Sequence, residues 1–373
     1  MRLLLMISGL PFAGAERSLV SVLPYFRKIE GVTPFLCTLN TWRDSSLAGE
    51  FARTGIQRFD LDAKRLVDPP AWRRFLSLLR DERIDIVSTQ DQYSNLFGAL
   101  AYWASRTPIV MSRHVMQEPA DTMREAVRAK LMLLALRYGS SKVIAVSEAV
   151  RRNLAQQNGS PLSRIETIYN GIDVKRFALM DQREEIRRKM GWSPDQSIVI
   201  MVAVLRRGKG HEVLFEAVPS LVRAVPRAHV KLVGGGELND SLREQAAGLG
   251  DAVEFLGERA DVPELLAASD VLVLPSWSEA LPTVLIEAGA ASLPVVATDV
   301  GGTAEIVTSG ETGYLVPPGD SSAMAANLVK LLQDPERARR MGAAAQERIA
   351  SRFSLERQAQ SMVSLFNRIL GEA

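Results

Sequence analysis

Apolar and polar residues follow one another along this chain with two distinct periods. Short runs rich in β-branched residues, each about as long as a buried strand, precede helix-length segments with apolar residues every three or four positions. Buried strands that alternate with amphipathic helices are typical of βα units, whose strands join a parallel sheet. The pattern therefore predicts an α/β fold.

The predicted strands form two groups, which indicates two Rossmann-like domains. In the first half of the chain they are Arg2–Ile7, Pro34–Leu39, Ile84–Thr89, Pro108–Ser112, Lys142–Val146 and Ile165–Tyr169. In the second half they are Ile198–Val204, His229–Val233, Val253–Leu256, Val271–Leu274 and Pro294–Ala297.

The boundary between the two domains is predicted near residue 175. An Asn-Gly turn in IYNGID follows a predicted strand there, and the charged helical segment DQREEIRRKMG precedes the next strand. We therefore expect an N-terminal domain over residues 1–175 and a C-terminal domain over residues 176–354. Residues 355–373 are expected to form a helix that crosses back to the N-terminal domain. A length of 373 residues agrees with two domains.

Composition changes this picture in two respects. The single cysteine, Cys37, excludes an intrachain disulfide and a thiolate metal cluster. Residues 1–180 hold 25 Lys and Arg against 17 Asp and Glu, whereas residues 181–373 hold 20 against 26. A basic half attracts an anionic lipid surface or a phosphorylated acceptor, or it merely carries arginines on solvated helix faces. No segment approaches the roughly 20 apolar residues that span a bilayer, and no nucleic-acid partner is expected.

The first twenty residues, MRLLLMISGLPFAGAERSLV, fit two interpretations. A basic start, an apolar run and the small triplet AGA are features of a secretory signal with its cleavage site. The apolar run ends at Ser8-Gly9, however, and is shorter than the core of most signals. We therefore predict a first strand over Arg2–Ile7, a glycine loop, and a helix from Glu16 onward.

The loop after the predicted strand Val271–Leu274 holds the densest set of candidate ligand groups. Ligands of open parallel sheets bind beyond the carboxyl ends of the strands. Pro282 suits the first turn of the following helix, and the free N–H groups of that turn suit a diphosphate. Glu279 and Glu287 flank the turn, and carboxylates accept hydrogen bonds from the hydroxyl pairs of sugars. The alternative is two solvated glutamates on a surface helix.

Segments in this region and beyond it occur in a recognisable order. In chain order they are PFAGAERSL, VSTQD, SRH, VIAVSEAVRRNL, IYNGID, KGHEVLFEAV, VGGGE, FLGERADVPELLAASDVLVLPS, SWSEALPTVLIEAGA, PVVATDVGGTAEIV and TGYLVPPGD. This ordered set resembles the retaining nucleotide-sugar glycosyltransferases of family 4 (group 1). The resemblance covers nearly the whole chain and implies the GT-B fold, in which the parallel sheets of two Rossmann-like domains face a central cleft.

The resemblance implies a role for individual residues of the second half. Glu287 would bind the ribose hydroxyls of the nucleotide, Glu279 would lie beside the donor sugar, and Lys209 would hold the diphosphate. Cations aimed at the departing diphosphate lower the barrier to breaking the sugar–phosphate bond. On this ground no cofactor and no metal ion are expected.

The arginine that usually accompanies the lysine is missing from its position in the family pattern. Val204 stands there, five residues before Lys209. Arg206 or Arg207 would then supply the second cation, and Arg206 is favoured.

Further contacts are implied by the same resemblance. His114 would lie near the donor sugar, and Ala280, in place of the usual glycine, would add a methyl group there. The remaining donor contacts would be Gly14, Gly234, Gly235, Gly236, Arg259, Leu281, Pro282 and Thr283.

One short motif points to a different chemistry. Asp60-Leu61-Asp62 matches the Asp-x-Asp metal motif of the other large glycosyltransferase fold. Such a pattern is common by chance and lies outside the donor half, so we interpret it as the turn at the end of a strand.

Taken with the resemblance, these features predict a metal-independent hexosyltransferase of the cytoplasm. It would move a sugar with retention from a UDP-sugar or another nucleotide sugar to a hydroxyl of a glycan or lipid-linked acceptor, in polysaccharide, lipopolysaccharide or glycolipid synthesis. The segments PPAWRRFLSLLRDER and REAVRAKLMLLALRYG either face the protein core or attach the protein to the anionic inner face of the membrane. A nucleotide-sugar epimerase and a non-catalytic nucleotide-sugar sensor are the alternatives.

Overall fold

The computed structural model describes residues 1–9, 14–40, 47–65, 68–116 and 122–371, with the side chains of residues 14, 15, 48 and 124 excepted. The chain forms two compact units. Unit 1 contains Met1–Gly171 and the segment from Leu355 onward, and unit 2 contains Ile172–Ser354. The division follows Gly171, whereas the sequence placed it near residue 175.

Unit 1 is a layered α/β unit. Its strands are β1 (Arg2–Ile7), β2 (Thr33–Thr38), β3 (Arg58–Asp60), β4 (Ile86–Thr89), β5 (Ile109–Arg113), β6 (Lys142–Ala145) and β7 (Ile165–Thr167). Its α-helices are α1 (Gly14–Phe26), α2 (Ala48–Thr54), α3 (Pro69–Asp81), α4 (Gln92–Tyr102), α5 (Met123–Tyr138) and α6 (Glu148–Asn158), together with the C-terminal α16 (Leu355–Leu370).

Within the described part of unit 1, the strands form one parallel seven-stranded sheet in the order β3-β2-β1-β4-β5-β6-β7. Strand β1 pairs with β2 on one side and with β4 on the other. Its residues from Leu3 to Ile7 are fully buried because helices cover a central strand on both faces. Residues 2–7 are thus an internal part of the folded sheet.

Helix α16 completes the core of unit 1. It packs against α1, and its Phe366 is fully buried with Leu3, Leu23 and Phe26. Its buried residues recur every three or four positions, as expected for a helix with one apolar stripe.

Unit 2 repeats the architecture with six strands in its described sheet. They are β8 (Ser197–Val202), β9 (Ala228–Val233), β10 (Val253–Gly257), β11 (Val271–Leu274), β12 (Val295–Thr298) and β13 (Gly313–Val316), in the parallel order β10-β9-β8-β11-β12-β13. Its α-helices are α7 (Val174–Phe177), α8 (Arg183–Lys189), α9 (His211–Ala224), α10 (Asn239–Ala246), α11 (Val262–Ala268), α12 (Thr283–Ala290), α13 (Thr303–Ile306), α14 (Ser321–Gln333) and α15 (Pro335–Arg352).

The predicted fold class, two α/β domains with parallel sheets, is confirmed. The sequence did not predict β13, a four-residue strand that begins with Gly313, and it placed β3 only as an unnamed strand ending at Asp60. Among the described residues, no helix combines the length and the hydropathy needed to cross a bilayer.

Candidate active site

The order of the strands in unit 2 defines where its site lies. The chain enters the sheet at β8, continues outward through β9 and β10, and then returns to the other side of β8 with β11. Loops that leave β8 and β11 at their carboxyl ends therefore diverge and open a crevice between them. Lys209 belongs to the first of these loops and Glu279 to the second.

A charge pair joins the two loops. Lys209 Nζ donates a hydrogen bond of 2.7 Å to Oε1 of Glu279, and the same oxygen accepts a second bond of 2.7 Å from the hydroxyl of Ser276. The Lys209 side chain is 16% exposed and that of Glu279 is 11% exposed. Because water is largely excluded, this interaction is stronger than a surface ion pair of the same length. The structure thus brings together two residues that are 70 positions apart in the chain.

Backbone hydrogen bonds hold the second loop against its neighbours. The N–H of Trp277 donates to the carbonyl of Gly208 in the loop after β8, at 2.9 Å. On the other side, the hydroxyl of Thr298, at the end of β12, donates to the carbonyl of Ser276 at 2.5 Å. Glu279 is therefore carried by a loop that is fixed from both sides.

Two glycines make this arrangement sterically feasible. Gly210 precedes α9 with φ of +72°, and a Cβ there would overlap the carbonyl oxygen of Pro275. Gly301, with φ of +53°, approaches the carbonyl oxygen of Glu279 in the same way. L-residues with a side chain rarely adopt such φ values, so both positions require glycine for two reasons.

Helix α12 begins at Thr283, four residues after Glu279 in the chain. Pro282 occupies the N-cap position, and none of the described side chains caps this end. Thr283 and Glu287, one turn apart, lie on the same half-buried face, whereas Leu285 and Ile286 face the core. The uncapped N–H groups and the positive end of the helix dipole suit an anion, and Glu287 follows within about one turn.

The two arginines predicted to assist Lys209 are exposed. Arg206 donates to the carbonyl of its neighbour Arg207 at 3.5 Å. Val204, which holds the position of the family's arginine, is 54% exposed. Both arginines are thus exposed residues of the loop after β8, and the choice between them stays open.

The glycine segment after β9 adjoins the loop after β8. The N–H of Leu205 donates to the carbonyl of Gly235 at 2.9 Å, and the N–H of Leu238 donates back to the carbonyl of Leu205 at 3.0 Å. Gly234 to Gly236 therefore contact the loop that carries Lys209.

Arg259 is differently placed. It follows β10, which β9 separates from β8, and its guanidinium binds both carboxylate oxygens of Asp261 at 2.8 and 2.6 Å. It borders a cavity of about 610 Å³ with Trp192 and Leu256. The structure does not bring Arg259 together with Lys209 and Glu279.

His114 is the predicted site residue of unit 1 that the structure describes in detail. It follows β5, and its Nδ1 lies 3.5 Å from Nδ2 of Asn170. Its other ring nitrogen, Nε2, is buried without a hydrogen-bond partner among the described residues. Burial lowers the pKa of His114 to about 4, and Arg113 also lowers it, although Asp91 acts in the opposite direction. The imidazole is therefore neutral near pH 7.

The first loop of unit 1 is described only at its ends. Gly14 is the first residue of α1, and residues 10–13 lie outside the described residues. At the β1 end, the N–H of Ser8 donates to Oδ2 of Asp91 at 2.6 Å. At the other end, burial raises the pKa of Glu16, partly offset by its own backbone N–H, and Asp91 raises it further.

The Asp-x-Asp segment is the end of a strand. Asp60 is the last residue of β3, accepts a hydrogen bond from the Thr38 hydroxyl and pairs with Arg58 at 2.8 Å. In the described ranges no three His, Cys, Asp or Glu residues are grouped as a metal site requires.

Several residues of the unit 2 site carried no sequence signal of their own. Ser276 is fully buried and binds Glu279, Thr298 fixes Ser276, and Gly301 contacts the Glu279 carbonyl. All three lie in segments singled out above, but only their spatial relation to Glu279 gives them a role. In unit 1, Asn170 likewise carried no sequence signal of its own, and only its contact with His114 gives it a role.

Solved structures share this fold. The Anabaena protein HepE, solved in complex with UDP, matches with a TM-score of 0.85 at 23% identity, and the match covers 99% of this chain and 100% of that chain. The two units thus have the architecture of GT-B glycosyltransferases.

Sequence comparisons define the family. The family model described as Glycosyltransferase Family 4 matches residues 12–176, and the model described as Glycosyl transferases group 1 matches residues 182–348. The GDP-mannose-dependent alpha-(1-6)-phosphatidylinositol monomannoside mannosyltransferase of Mycolicibacterium smegmatis is 33% identical over 261 residues, which is 67% of this chain and 67% of the relative. The chain belongs to glycosyltransferase family 4 (group 1).

A second relative shows the extent of the match. The N-acetyl-alpha-D-glucosaminyl L-malate synthase of Bacillus anthracis is 32% identical over 240 residues, or 63% of this chain. The match spans about three fifths of that relative's length, 62%.

Proposed function

We propose that this protein is a retaining, metal-independent glycosyltransferase that transfers a sugar from a UDP-sugar to a hydroxyl of a glycan or lipid-linked acceptor. The observation that carries the proposal is the Lys209–Glu279 pair of 2.7 Å at the switch point of unit 2, beside the uncapped start of α12. The solved neighbour that contains UDP supports a uracil base. The mannosyltransferase relative, which is GDP-mannose-dependent, makes GDP the competing choice.

Each residue of the crevice has a chemical task in this proposal. Lys209 and the N–H groups that open α12 bind the diphosphate, and they stabilise the negative charge that grows as the sugar–phosphate bond breaks. Glu287 accepts hydrogen bonds from the ribose hydroxyls. Glu279, held by Ser276, orients the donor sugar. The acceptor hydroxyl attacks from the face that the diphosphate leaves, and the departing phosphate oxygen takes its proton.

The acceptor is assigned to unit 1. Unit 1 contains most of the basic half of the chain, and this charge favours a phosphorylated or anionic acceptor. His114, which we place near the donor sugar, is neutral and can donate or accept one hydrogen bond with Nε2. A neutral ring suits a hydroxyl-bearing sugar, since it adds no charge that the departing diphosphate would attract.

Thermal unfolding in the presence of nucleotides tests the donor assignment. UDP and UDP-sugars should raise the Tm of the full chain, because a ligand that binds only the folded state stabilises it by mass action. Glu287→Ala should weaken UDP binding about tenfold, the loss expected for one charged hydrogen-bond acceptor. Glu264→Ala, which removes another half-buried helical glutamate of unit 2, is the control and should leave UDP binding unchanged.

Transfer is tested separately from binding. Release of UDP from a UDP-sugar should depend on an added acceptor, and Glu279→Ala should reduce release while UDP still binds. Turnover without an acceptor would indicate an epimerase, and binding without any release would indicate a sensor. Protection by GDP-mannose alone would overturn the assignment of the base.

A further inference from the structure

Large exposed apolar residues are concentrated in one region of unit 1. Most of those that the structure describes as exposed lie between residues 93 and 138. On α5, Val127, Leu131, Leu134 and Tyr138 are 45–52% exposed. They are spaced by four, three and four residues and therefore form one stripe along the helix.

Helix α4, which is adjacent to α5, also has exposed apolar residues. Tyr93 is 49% exposed and Leu100 is 43% exposed, and Trp103, which ends the helix, is 77% exposed. We define the α4–α5 face by these three residues together with Val127, Leu131, Leu134 and Tyr138 of α5.

The two helices lie side by side in unit 1. The Arg128 guanidinium of α5 donates to Gln92 Oε1 at 3.1 Å and lies 5.7 Å from the ring centroid of Tyr93. At the other end, a Cβ at Gly139, just after α5, would overlap Ala99 of α4. Contacts at both ends show that α4 and α5 run parallel.

The apolar residues of this face are not needed by the core. Helix α5 buries Met132, Ala135 and Leu136, which lie toward its C-terminal end. In α3, by contrast, the apolar residues Phe75, Leu78 and Leu79 are buried. The two segments that the sequence offered as core-facing or membrane-binding helices therefore differ: α3 faces the core, and α5 leaves an apolar stripe in solvent.

Basic side chains of α5 lie next to the face. The α5 sequence contains four Lys and Arg residues and a single acidic residue, Glu125. Arg128 adjoins Tyr93, and the Arg137 guanidinium lies 5.1 Å from the ring centroid of Tyr138. Apolar and aromatic side chains bordered by cations are the features of surfaces that insert at the boundary between lipid headgroups and acyl chains.

We propose that the α4–α5 face docks the protein on the surface of a bilayer that contains anionic lipids. The leucines, Val127 and Trp103 enter the boundary region, and the exposed cations Arg128 and Lys130 bind the headgroups. A second copy of the chain is the less favourable occupant, because a symmetric contact would place the same basic residues opposite one another. The inference is independent of the proposed donor site, since the face contains no residue of that site.

Flotation of the full chain with vesicles tests the proposal. Vesicles of phosphatidylcholine with phosphatidylglycerol should bind the protein, and vesicles of phosphatidylcholine alone should bind it at least about tenfold more weakly. Binding should also fall as salt rises from about 0.1 M to about 1 M, because the Debye length contracts from about 10 Å to about 3 Å.

Two leucines of matched exposure provide the test variant and its control. Leu134, in the face, is 45% exposed, and Leu162, outside it, is 46% exposed. Leu134→Glu should reduce vesicle binding at least about tenfold, because an apolar group that enters the boundary is replaced by a charge of the wrong sign. Leu162→Glu should bind as the wild type does, and Lys130→Gln should lose about fivefold.

Three results would overturn the proposal. They are no binding of the wild type to anionic vesicles, equal binding by Leu134→Glu, and a dimer that Leu134→Glu converts to a monomer in light scattering. Both leucine variants should keep their Tm within about 2 °C, as exposed substitutions do. The Tm increase produced by UDP should be the same in all variants, so failure of docking is separable from failure of the donor site.

Discussion

The ion pair between Lys209 and Glu279 leads to a prediction with an unusual sign. In the structure, Glu279 already pairs with the ammonium group of Lys209, which we propose binds the donor diphosphate. Bound UDP must therefore compete with Glu279 for Lys209. Glu279→Gln removes the competing charge but keeps an oxygen that can accept the hydrogen bond of Ser276. We expect this variant to bind UDP more tightly than the wild type while its rate of sugar transfer falls.

The magnitude follows from the geometry of the pair. Two unit charges about 4 Å apart attract by about 4 kcal/mol at an effective dielectric constant of 20, and the net value after desolvation is about 1–3 kcal/mol. Only part of this is available to the ligand, because the glutamine amide still interacts with Lys209. A gain of about 1 kcal/mol corresponds to an affinity about fivefold higher. Transfer should fall about 100-fold, as when one charged group at a transition state is removed.

Calorimetric titration with UDP and a UDP-release assay measure the two effects on one preparation. Glu185→Gln is the matched control, because Glu185 pairs with Lys189 at 2.6 Å on the exposed face of α8. The control should change neither affinity nor rate. Weaker UDP binding by Glu279→Gln, or unchanged transfer, would refute the assignment of Lys209 and Glu279 to one donor site.

Three further predictions follow from the structure. Gly210→Ala should lower the free energy of unfolding in urea by at least about 2 kcal/mol more than Gly208→Ala. Both glycines have positive φ, but only at Gly210 would the added Cβ overlap the backbone of Pro275. Equal losses in the two variants would contradict this. His114 has a pKa of about 4 when folded and about 6.5 when unfolded, so stability should fall as pH drops through this window. Urea unfolding measures the free energy of unfolding at about pH 7 and at about pH 4.5. The loss between these two pH values should be about 2 kcal/mol smaller in His114→Asn than in the wild type. An unchanged pH dependence in the variant would contradict the prediction. Transfer should persist in excess EDTA, whereas an absolute Mn²⁺ requirement would reverse the proposal of metal independence.

Much of the fold was predictable from local patterns. β1 and β11 have the predicted bounds, and the other predicted strands are shifted by one to two residues at most ends. Apart from β7 and β10, which lie at sheet edges, these strands lie inside the sheets. Strands inside a parallel sheet are covered by helices on both faces, and this burial accounts for their continuous apolar runs. Strands β3 and β13 lie at sheet edges and are only partly buried. Strand β3 has a charged residue at each end and β13 begins with glycine, so neither forms a continuous run of β-branched residues.

The site was predictable only in part. Glu279, Glu287 and Lys209 were predicted as site residues because they lie in recognisable segments of the chain. That Lys209 and Glu279 are paired was not predictable, since the contact depends on the return of the chain from β10 to the far side of β8. For α5 the sequence offered a core-facing helix or a membrane-binding one, and its periodicity could not choose between them.

The sequence by itself determined the kind of elements, their order and the positions of the candidate ligand groups. Periodicity and motifs involve only a few neighbouring residues, so they can be recognised without knowledge of the tertiary structure. The tertiary structure alone decided which loops meet, as at Lys209 and Glu279, and which apolar faces stay in solvent, as on α4 and α5. The physical reason is that both outcomes depend on the order of strands in a sheet and on the helices packed against it. These are properties of distant segments together, and no single segment encodes them.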